Sequence, residues 1–364
     1  MNPVTSDPLV HAFEPVAKST VSAETTATKQ LRDYALPACL SQHYVLGQEL
    51  GNGGFGFVVS AKARSTNEEV AIKFIYKHKV PATSLMMDAH GQCLPMEIYI
   101  LKHASHDTIV RYIDSFDDST YYYLVMELHG SQWNLPATAF VSKPTTPNPL
   151  HHLPDLSHSS DPSDDDDDSD DHANACKQPA IISRRGSCDL FECIEQHQAF
   201  PEPLAKYVFR QIVECVSYLD TWGVCHRDIK DENIVIDANY QVKLIDFGSA
   251  VLLPRHFDPN TPNNVVMHRR FYGTIAFASP EILRMEPYQA EPAEVWSLGV
   301  LLYTLVFGEV PFNNAHTAMA AQWYPSPKQH VSSKCLHLIH CLLGKNPQDR
   351  PSIHRVLSHP WLQC

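Results

Sequence analysis

The stretch CHRDIKDENIV (225–235) sets Asp228, Asp231, Glu232 and Asn233 within six positions, with Lys230 among them. Side chains this acidic, crowded around one amine, repel each other and lose hydration unless something cationic is held there. A second chemical group lies upstream. LGNGGFGFVV (50–59) carries Gly51, Gly53 and Gly56 in GxGxxG spacing, followed by Val58. Glycines let a hairpin backbone approach phosphate oxygens where a Cβ would collide. Dinucleotide folds share this spacing, but there it opens a helix; here it lies between two strand-like runs, which argues against that fold. VAIK (70–73) follows on the next strand. A lysine flanked by Val70, Ala71 and Ile72 is poorly placed for solvent and wants an anion. The phosphates of a nucleotide are candidates for Lys73, with Glu97 on the following helix as its counter-charge.

These groups need elements to hold them. Residues 1–43 are rich in Thr, Ser, Ala and Pro without a sustained period, and read as a disordered N-terminal tail. From Tyr44 to Leu128, β-branched and aromatic runs separated by Gly, Asn and Asp read as strands, interrupted by one helix at about 95–104. Residues 131–186 change to Pro, Ser, His and Asp with few large apolar groups, and read as a disordered acidic insertion. Beyond it, LAKYVFRQIVECVSYLDTWG, AEVWSLGVLLYTLVFG and SSKCLHLIHCLLGK carry apolar residues at helical spacing. The expected architecture is α+β and bilobal. A small β-rich lobe (44–130) precedes a larger, mainly helical one (187–362), with the insertion at their junction.

Bulk properties exclude several classes. The net charge of −13 is mostly local, because DPSDDDDDSDD (161–171) holds eight aspartates and removing them leaves −5. That run is a solvated segment, and no basic stripe argues for nucleic acid. The longest apolar run, 295–312, is interrupted by Ser297 and ends with Glu309 and Pro311, so a buried core helix is expected and no membrane partner. Ten scattered cysteines without a CxxC pair, behind a start with no basic n-region or apolar h-region, point to reduced thiols in the cytosol or nucleus. Cys335, His337, His340 and Cys341 invite a zinc reading. They share an amphipathic helix with Leu338, Ile339 and Leu342, so ordinary packing is expected instead. No oligomeric state is read from the sequence.

LVMEL (124–128), HRDIKDEN (226–233), DFG (246–248), SPE (279–281) and NPQDRPS (346–352) follow the glycine-rich stretch and VAIK in order. With them the chain resembles the eukaryotic-type protein kinases over about 44–362. That resemblance implies ATP and Mg2+ as the cofactors and protein substrates as partners. It implies that Lys73 pairs the phosphates and Glu97, that Asp246 and Asn233 hold magnesium, and that Asp228 accepts the proton of the substrate hydroxyl. Lys230 would steady the transferring phosphoryl group. Gly51, Gly53, Gly56, Val58 and Ala71 would enclose the nucleotide, Met126 would be the gatekeeper, and Glu127 to His129 the hinge meeting adenine. Glu281 and Arg350 would form a buried ion pair.

Lys230 with Thr274 in GTIAF resembles the serine/threonine kinases rather than those acting on tyrosine. Glu232 and Asp189 fall where basophilic relatives place acids, which implies arginine three residues before the acceptor. HGSQW, CDLFECIEQH, KLIDFGSA and WSLGVLLYTLVFGEVPF look closest to the catalytic domain of PAS-domain kinases, a group associated with nutrient sensing. Only about 43 residues precede the first strand, so no PAS sensor is expected within them. The alternative class is a pseudokinase scaffold, whose signature is loss of the strand lysine or of either aspartate; none is lost. SPE in place of APE, and Glu294 where most kinases have Asp, are mild departures. Arg270 stands where an activation-loop acceptor is usual, so activity without phosphorylation there is expected, Thr261 being the other acceptor. RRGS (184–187) and Ser163 offer phosphorylation targets in the insertion.

Overall fold

In the computed structural model, residues 24–89, 91–133, 186, 188–258 and 265–363 are described. The β-branched and aromatic runs pair as five antiparallel strands: β1 (Tyr44–Gly53), β2 (Gly56–Ala63) and β3 (Glu69–Tyr76), then β6 (Tyr112–Asp117) and β7 (Tyr121–Glu127). A short hairpin of β4 (Leu85–Met87) and β5 (Cys93–Pro95) lies between them in the chain. The spatial order is β1-β2-β3-β7-β6. Register decides which residues share a face. Val58 sits opposite Lys73 and Leu124, and Ser60 opposite Ala71 and Met126. That row looks toward the helical lobe. The alternate row, Phe57, Val59, Ile72, Phe74, Tyr123 and Val125, forms a second apolar cluster on the outer face.

The outer face is covered by residues assigned from the sequence to a structureless tail. Helices α1 (Thr26–Leu31) and α2 (Ala38–Ser41) lie on it, and Ala27, Leu31 and Leu40 are buried there. The Thr25 side chain caps α1 by accepting the amide of Thr28. Tyr34 donates its hydroxyl to Asp118, which also takes that of Tyr123. Helices of six and four residues show no periodicity, so the tail assignment fails for residues 24–43.

Helix α3 (Met96–His103) begins directly after Pro95 and puts Glu97 in its first turn. Lys102 ties it to Asp88 of the preceding hairpin at 3.0 Å. The larger lobe contains α4 (Leu190–His197), α5 (Glu202–Thr221), α6 (Pro254–Phe257), α7 (Pro280–Leu283), α8 (Ala290–Phe307), α9 (Ala315–Ala320), α10 (Ser333–Leu342), α11 (Ile353–Leu357) and α12 (Pro360–Gln363). Small pairs β8 (Val224–Cys225) with β11 (Val251–Leu252), and β9 (Ile234–Ile236) with β10 (Val242–Leu244), carry its loops. Helix α8 is buried almost all round, as its continuous apolar run requires, and ends at Gly308 with φ 70°. A Cβ there would lie 1.5 Å from the Gln198 carbonyl oxygen. Among the described residues no helix is long and apolar enough to cross a membrane.

Most of the expected insertion, with its aspartate run, Ser163, Ser187, His151, His152 and His158, lies outside the described residues, as does Thr261. Its first residues do not behave as an insertion. Trp133 is buried and donates its indole N–H to the Ile236 carbonyl at 3.3 Å, and the Ser131 amide meets the same oxygen at 3.0 Å.

Arg350 reaches Glu281 with two parallel bonds of 2.8 Å and also donates to the Gly344 and Pro292 carbonyls. Its guanidinium lies 5.1 Å from the centre of the Trp296 ring. Removing one partner strands a buried charge, which costs about 3–5 kcal/mol, whereas an apolar pair of similar volume need not. Arg350→Leu should lower urea-unfolding stability by that amount, and adding Glu281→Leu should recover part of it.

Candidate active site

Three elements meet at Lys73. It comes from the central strand β3, Glu97 from α3, and Asp246 from the loop after β10. Lys73 Nζ donates to both Glu97 oxygens at 2.6 and 2.8 Å and to Asp246 Oδ1 at 2.9 Å. Burial works against the lysine charge, but Asp246 and Glu97 outweigh it and raise its pKa. Burial raises Glu97, while Lys73 holds Asp246 down at about 2. Of the two carboxylates beside the ammonium, Asp246 is the more open, its side chain 46% exposed against 5% for Glu97. Asp246 sits at φ 61°, a left-handed conformation that costs a non-glycine residue energy. Its side chain accepts the Gly248 amide, and the next residue, Phe247, is fully buried edge-on to His226.

Residues 225–235 form a loop beside this cluster that is fastened by hydrogen bonds. Asp228 Oδ1 accepts the Thr274 amide at 2.9 Å and hydroxyl at 3.0 Å, and its Oδ2 accepts Asn233 Nδ2 at 2.9 Å. Lys230 donates to Thr274 Oγ1 at 2.9 Å and lies 3.7 Å from Asp228 Oδ2. The β9–β10 hairpin brings the two metal candidates alongside each other, for Ile245 donates its amide to the Asn233 carbonyl at 2.9 Å. His226, fully buried, donates to the Ile245 carbonyl and accepts the Asp228 amide. Glu294 of α8 accepts the amide of Arg227 at 2.7 Å, fastening a residue that also sits at positive φ.

Above the cluster, β1 and β2 turn at Gly53–Gly56. Nothing lies within 4 Å of where a Cβ would stand on Gly51 or Gly53, so that side of the loop is open to a ligand. Gly56 differs. Its Cβ would fall 1.9 Å from the Phe74 carbonyl oxygen, so this glycine serves the packing of β2 on β3. Val58, Ala71 and Met126 belong to the apolar cluster that continues into the larger lobe, with Leu50 and Ile245 beside them. Leu50 and Ile245 were missed in the sequence, although Leu50 directly precedes the glycines. The Glu127 carboxylate is occupied by Lys243 at 2.8 Å and the Arg111 amide at 2.8 Å, and the His129 ring meets the Gln241 carbonyl at 3.0 Å.

The donor set fits a nucleotide and a divalent cation. Asn233 spends its Nδ2 on Asp228, and Asp246 spends Oδ1 on Lys73 and Gly248. Among the described residues, Asn233 Oδ1 and Asp246 Oδ2 take no hydrogen bond, and both are the hard oxygens such a cation prefers. A bilobal fold built around this cluster is the architecture of a protein kinase domain, and the chain belongs to the protein kinase family. The family's protein kinase domain model matches residues 44–139 and 180–362. The chain is similar to a PAS domain-containing serine/threonine-protein kinase of Mus musculus, 33% identical over 330 residues, covering 90% of this chain and 19% of that protein. It is 29% identical to serine/threonine-protein kinase PSK2 of Saccharomyces cerevisiae, covering 88% of this chain and 24% of that protein. Serine/threonine-protein kinase pim-2 of Danio rerio is 31% identical, with 88% and 85% covered. The chain thus spans about a quarter or less of the first two relatives and most of the third.

Of the residues that invited a zinc reading, Cys335 is fully buried in the core beside Leu338, Ile339 and Leu342 of the same helix. Tyr288, which organises the activation segment, carried no sequence signal. Its backbone bridges His268 in both directions, at 2.7 and 2.9 Å, and its hydroxyl donates to the Arg270 carbonyl.

Burial pushes the Glu294 carboxyl up to about 7 from 4.5, against the amides of Arg227 and His226 that lower it. Asp231 is likewise pushed by burial to about 7 from 3.8. The fold favours the protonated form of each. Their contribution to stability is complete below the unfolded values and is lost as pH rises through about 7. Urea unfolding across about pH 5 to pH 8 should show wild type losing on the order of 2 kcal/mol more than Glu294→Gln.

Proposed function

We propose that this chain transfers the γ-phosphoryl group of ATP, with Mg2+, to serine and threonine hydroxyls of protein substrates. The observation that carries the reading is the shared lysine: Lys73 is bound at once by the α3 glutamate and by Asp246, which is the assembled rather than the dismantled arrangement. Bound here, Mg-ATP would supply the phosphoryl group and the cations that screen its charge, held by Lys73, Asp246, Asn233 and the open backbone at Gly51 and Gly53. Gly56 would support that backbone from below, and Val58 and Ala71 would form the apolar side of the slot.

Asp228 is aligned to receive the proton of a substrate hydroxyl. Two donors from Thr274 and one from Asn233 fix its carboxylate, so its orientation is set before substrate arrives. Lys230 stands beside the same atoms, raised by Asp228 and Glu232 over the opposing effect of burial, and keeps its positive charge near the reacting oxygens. The Thr274 hydroxyl joins Lys230 to Asp228, which supports a serine/threonine rather than a tyrosine acceptor. Glu232, 56% exposed and paired with Lys230 at 2.9 Å, would present its open side to arginine at the minus-three position. Asp189 already caps α4 by accepting the Glu192 amide, so we give it the smaller share of that recognition. The cellular role we attach, nutrient signalling in the cytoplasm or nucleus, rests on the resemblance to PAS-domain kinases.

Arg227 does not call for a phosphate. Its Nε donates to the Ser249 carbonyl at 2.7 Å, and its guanidinium lies 5.4 Å from the centre of the Tyr272 ring. Burial raises the Tyr288 phenol against the pull of Arg227 beside it, so the cation also meets that ring system. We therefore propose activity without activation-loop phosphorylation.

Two measurements test this. Asp228→Asn should lower phosphate transfer to a protein substrate by about 10²–10⁴-fold while Mg-ATP binding by calorimetry persists. Equal background signals from both proteins would favour a scaffold. Phosphatase-treated wild type should keep its rate; loss of activity mapping to Thr261 would refute the phosphate-independent reading.

A further inference from the structure

Glu49 is a carboxylate in an apolar place. It lies on β1 under α1 and is 1% exposed. Burying a carboxylate is costly unless its oxygens are satisfied. One partner is the Ala27 amide in the first turn of α1, 2.6 Å from Oε2. The other is Asn52 Nδ2, 3.2 Å from Oε1. Asn52 stands between Gly51 and Gly53, which with Gly54 are the positions where the glycine-rich turn is open. One side chain therefore joins the N-terminal segment to the loop over the candidate phosphate site.

The backbone is shaped to permit this. The β1–β2 register slips on both sides of Glu49, between Leu46 and Glu49 and again between Glu49 and Gly51. Such bulges re-aim side chains. Ser60 fills the first of them, its hydroxyl accepting the Gln48 amide at 2.8 Å and donating to the Gln48 carbonyl at 3.3 Å. A Cβ on Gly47 would lie 2.6 Å from that hydroxyl oxygen. Ala27, Leu31 and Leu40 then seal the outer face and keep Glu49 from water.

We infer that residues 24–43 hold the glycine-rich loop in place through Glu49, which makes Glu49 and Asn52 positioning residues for the nucleotide. When α1 leaves the sheet, Glu49 turns to solvent and Asn52 is released, so occupancy of the outer face by α1 sets nucleotide affinity. The link to affinity rests on the nucleotide site proposed above; the coupling of α1 to the loop does not.

The test uses the full chain with Glu49→Ala, Asn52→Ala and the double variant, read in two ways. Amide hydrogen exchange without nucleotide should quicken over residues 51–56 in both single variants. The KM for ATP should rise about fivefold in each with kcat nearly unchanged, and the double variant should be no worse than either single one. Unchanged exchange at 51–56, or effects of the two substitutions that add independently, would overturn the coupling and leave Glu49 as a simple staple for α1. Asn52→Ala changes an exposed residue, so it decides between these outcomes even where Glu49→Ala fails to fold. Quickened exchange in the variants of a chain that uses no ATP would instead sink the nucleotide reading alone.

Discussion

Lys73 is the constraint around which the rest is arranged. A buried ammonium must be neutralised locally, and its two carboxylate partners come from a helix and from a loop of the other lobe. That single requirement ties β3, α3 and the turn after β10 into one unit. The row of residues on the cleft side of the sheet, Val58, Ala71 and Met126, continues the larger lobe's apolar cluster directly beside it. Displacing α3 would leave a buried charge with half its compensation, so helix position and site chemistry are linked by electrostatics rather than by shape alone.

The same reasoning applies on the other face of the sheet. A five-stranded sheet with Phe57, Phe74, Tyr121 and Tyr123 on its outer side cannot leave them in water without cost. Stacking of Phe57 on Phe74, with centroids 4.7 Å apart, and the edge contacts of Phe74 with Tyr121 and Tyr123 build the aromatic layer that α1 and α2 cover. The sheet is thus sandwiched, with its chemistry on one side and residues 24–43 on the other.

Much of this was legible in the chain. Strands read from β-branched runs and long helices read from apolar spacing fall where expected, and α3 starts immediately after Pro95. Motifs in order identified Lys73, Asp228, Asn233 and Asp246, which the fold brings into one cluster. What escaped was tertiary in origin. Helices as short as α1 and α2 carry no period, and Trp133 gave no sign that it would bury against Ile236. Gly56 shares the spacing of Gly51 and Gly53, yet its need for a missing Cβ comes from β3, a partner the pattern does not name. Glu127 and His129 were read as hinge residues by position, and only the fold shows their side chains turned to Lys243, Arg111 and Gln241.

Glu294 shows how a departure from the family pattern is absorbed. Its carboxylate reaches from α8 to the amide of Arg227, whose positive φ brings its guanidinium to Ser249 and the Tyr272 ring. An ionised acceptor binds an amide more strongly than a neutral one, so deprotonating Glu294 tightens the catalytic loop. Deprotonation also places an unpaired charge in the core, so the pH change that firms the loop loosens the fold as a whole. A carboxyl titrating at about 7 puts these two tendencies in opposition near neutrality.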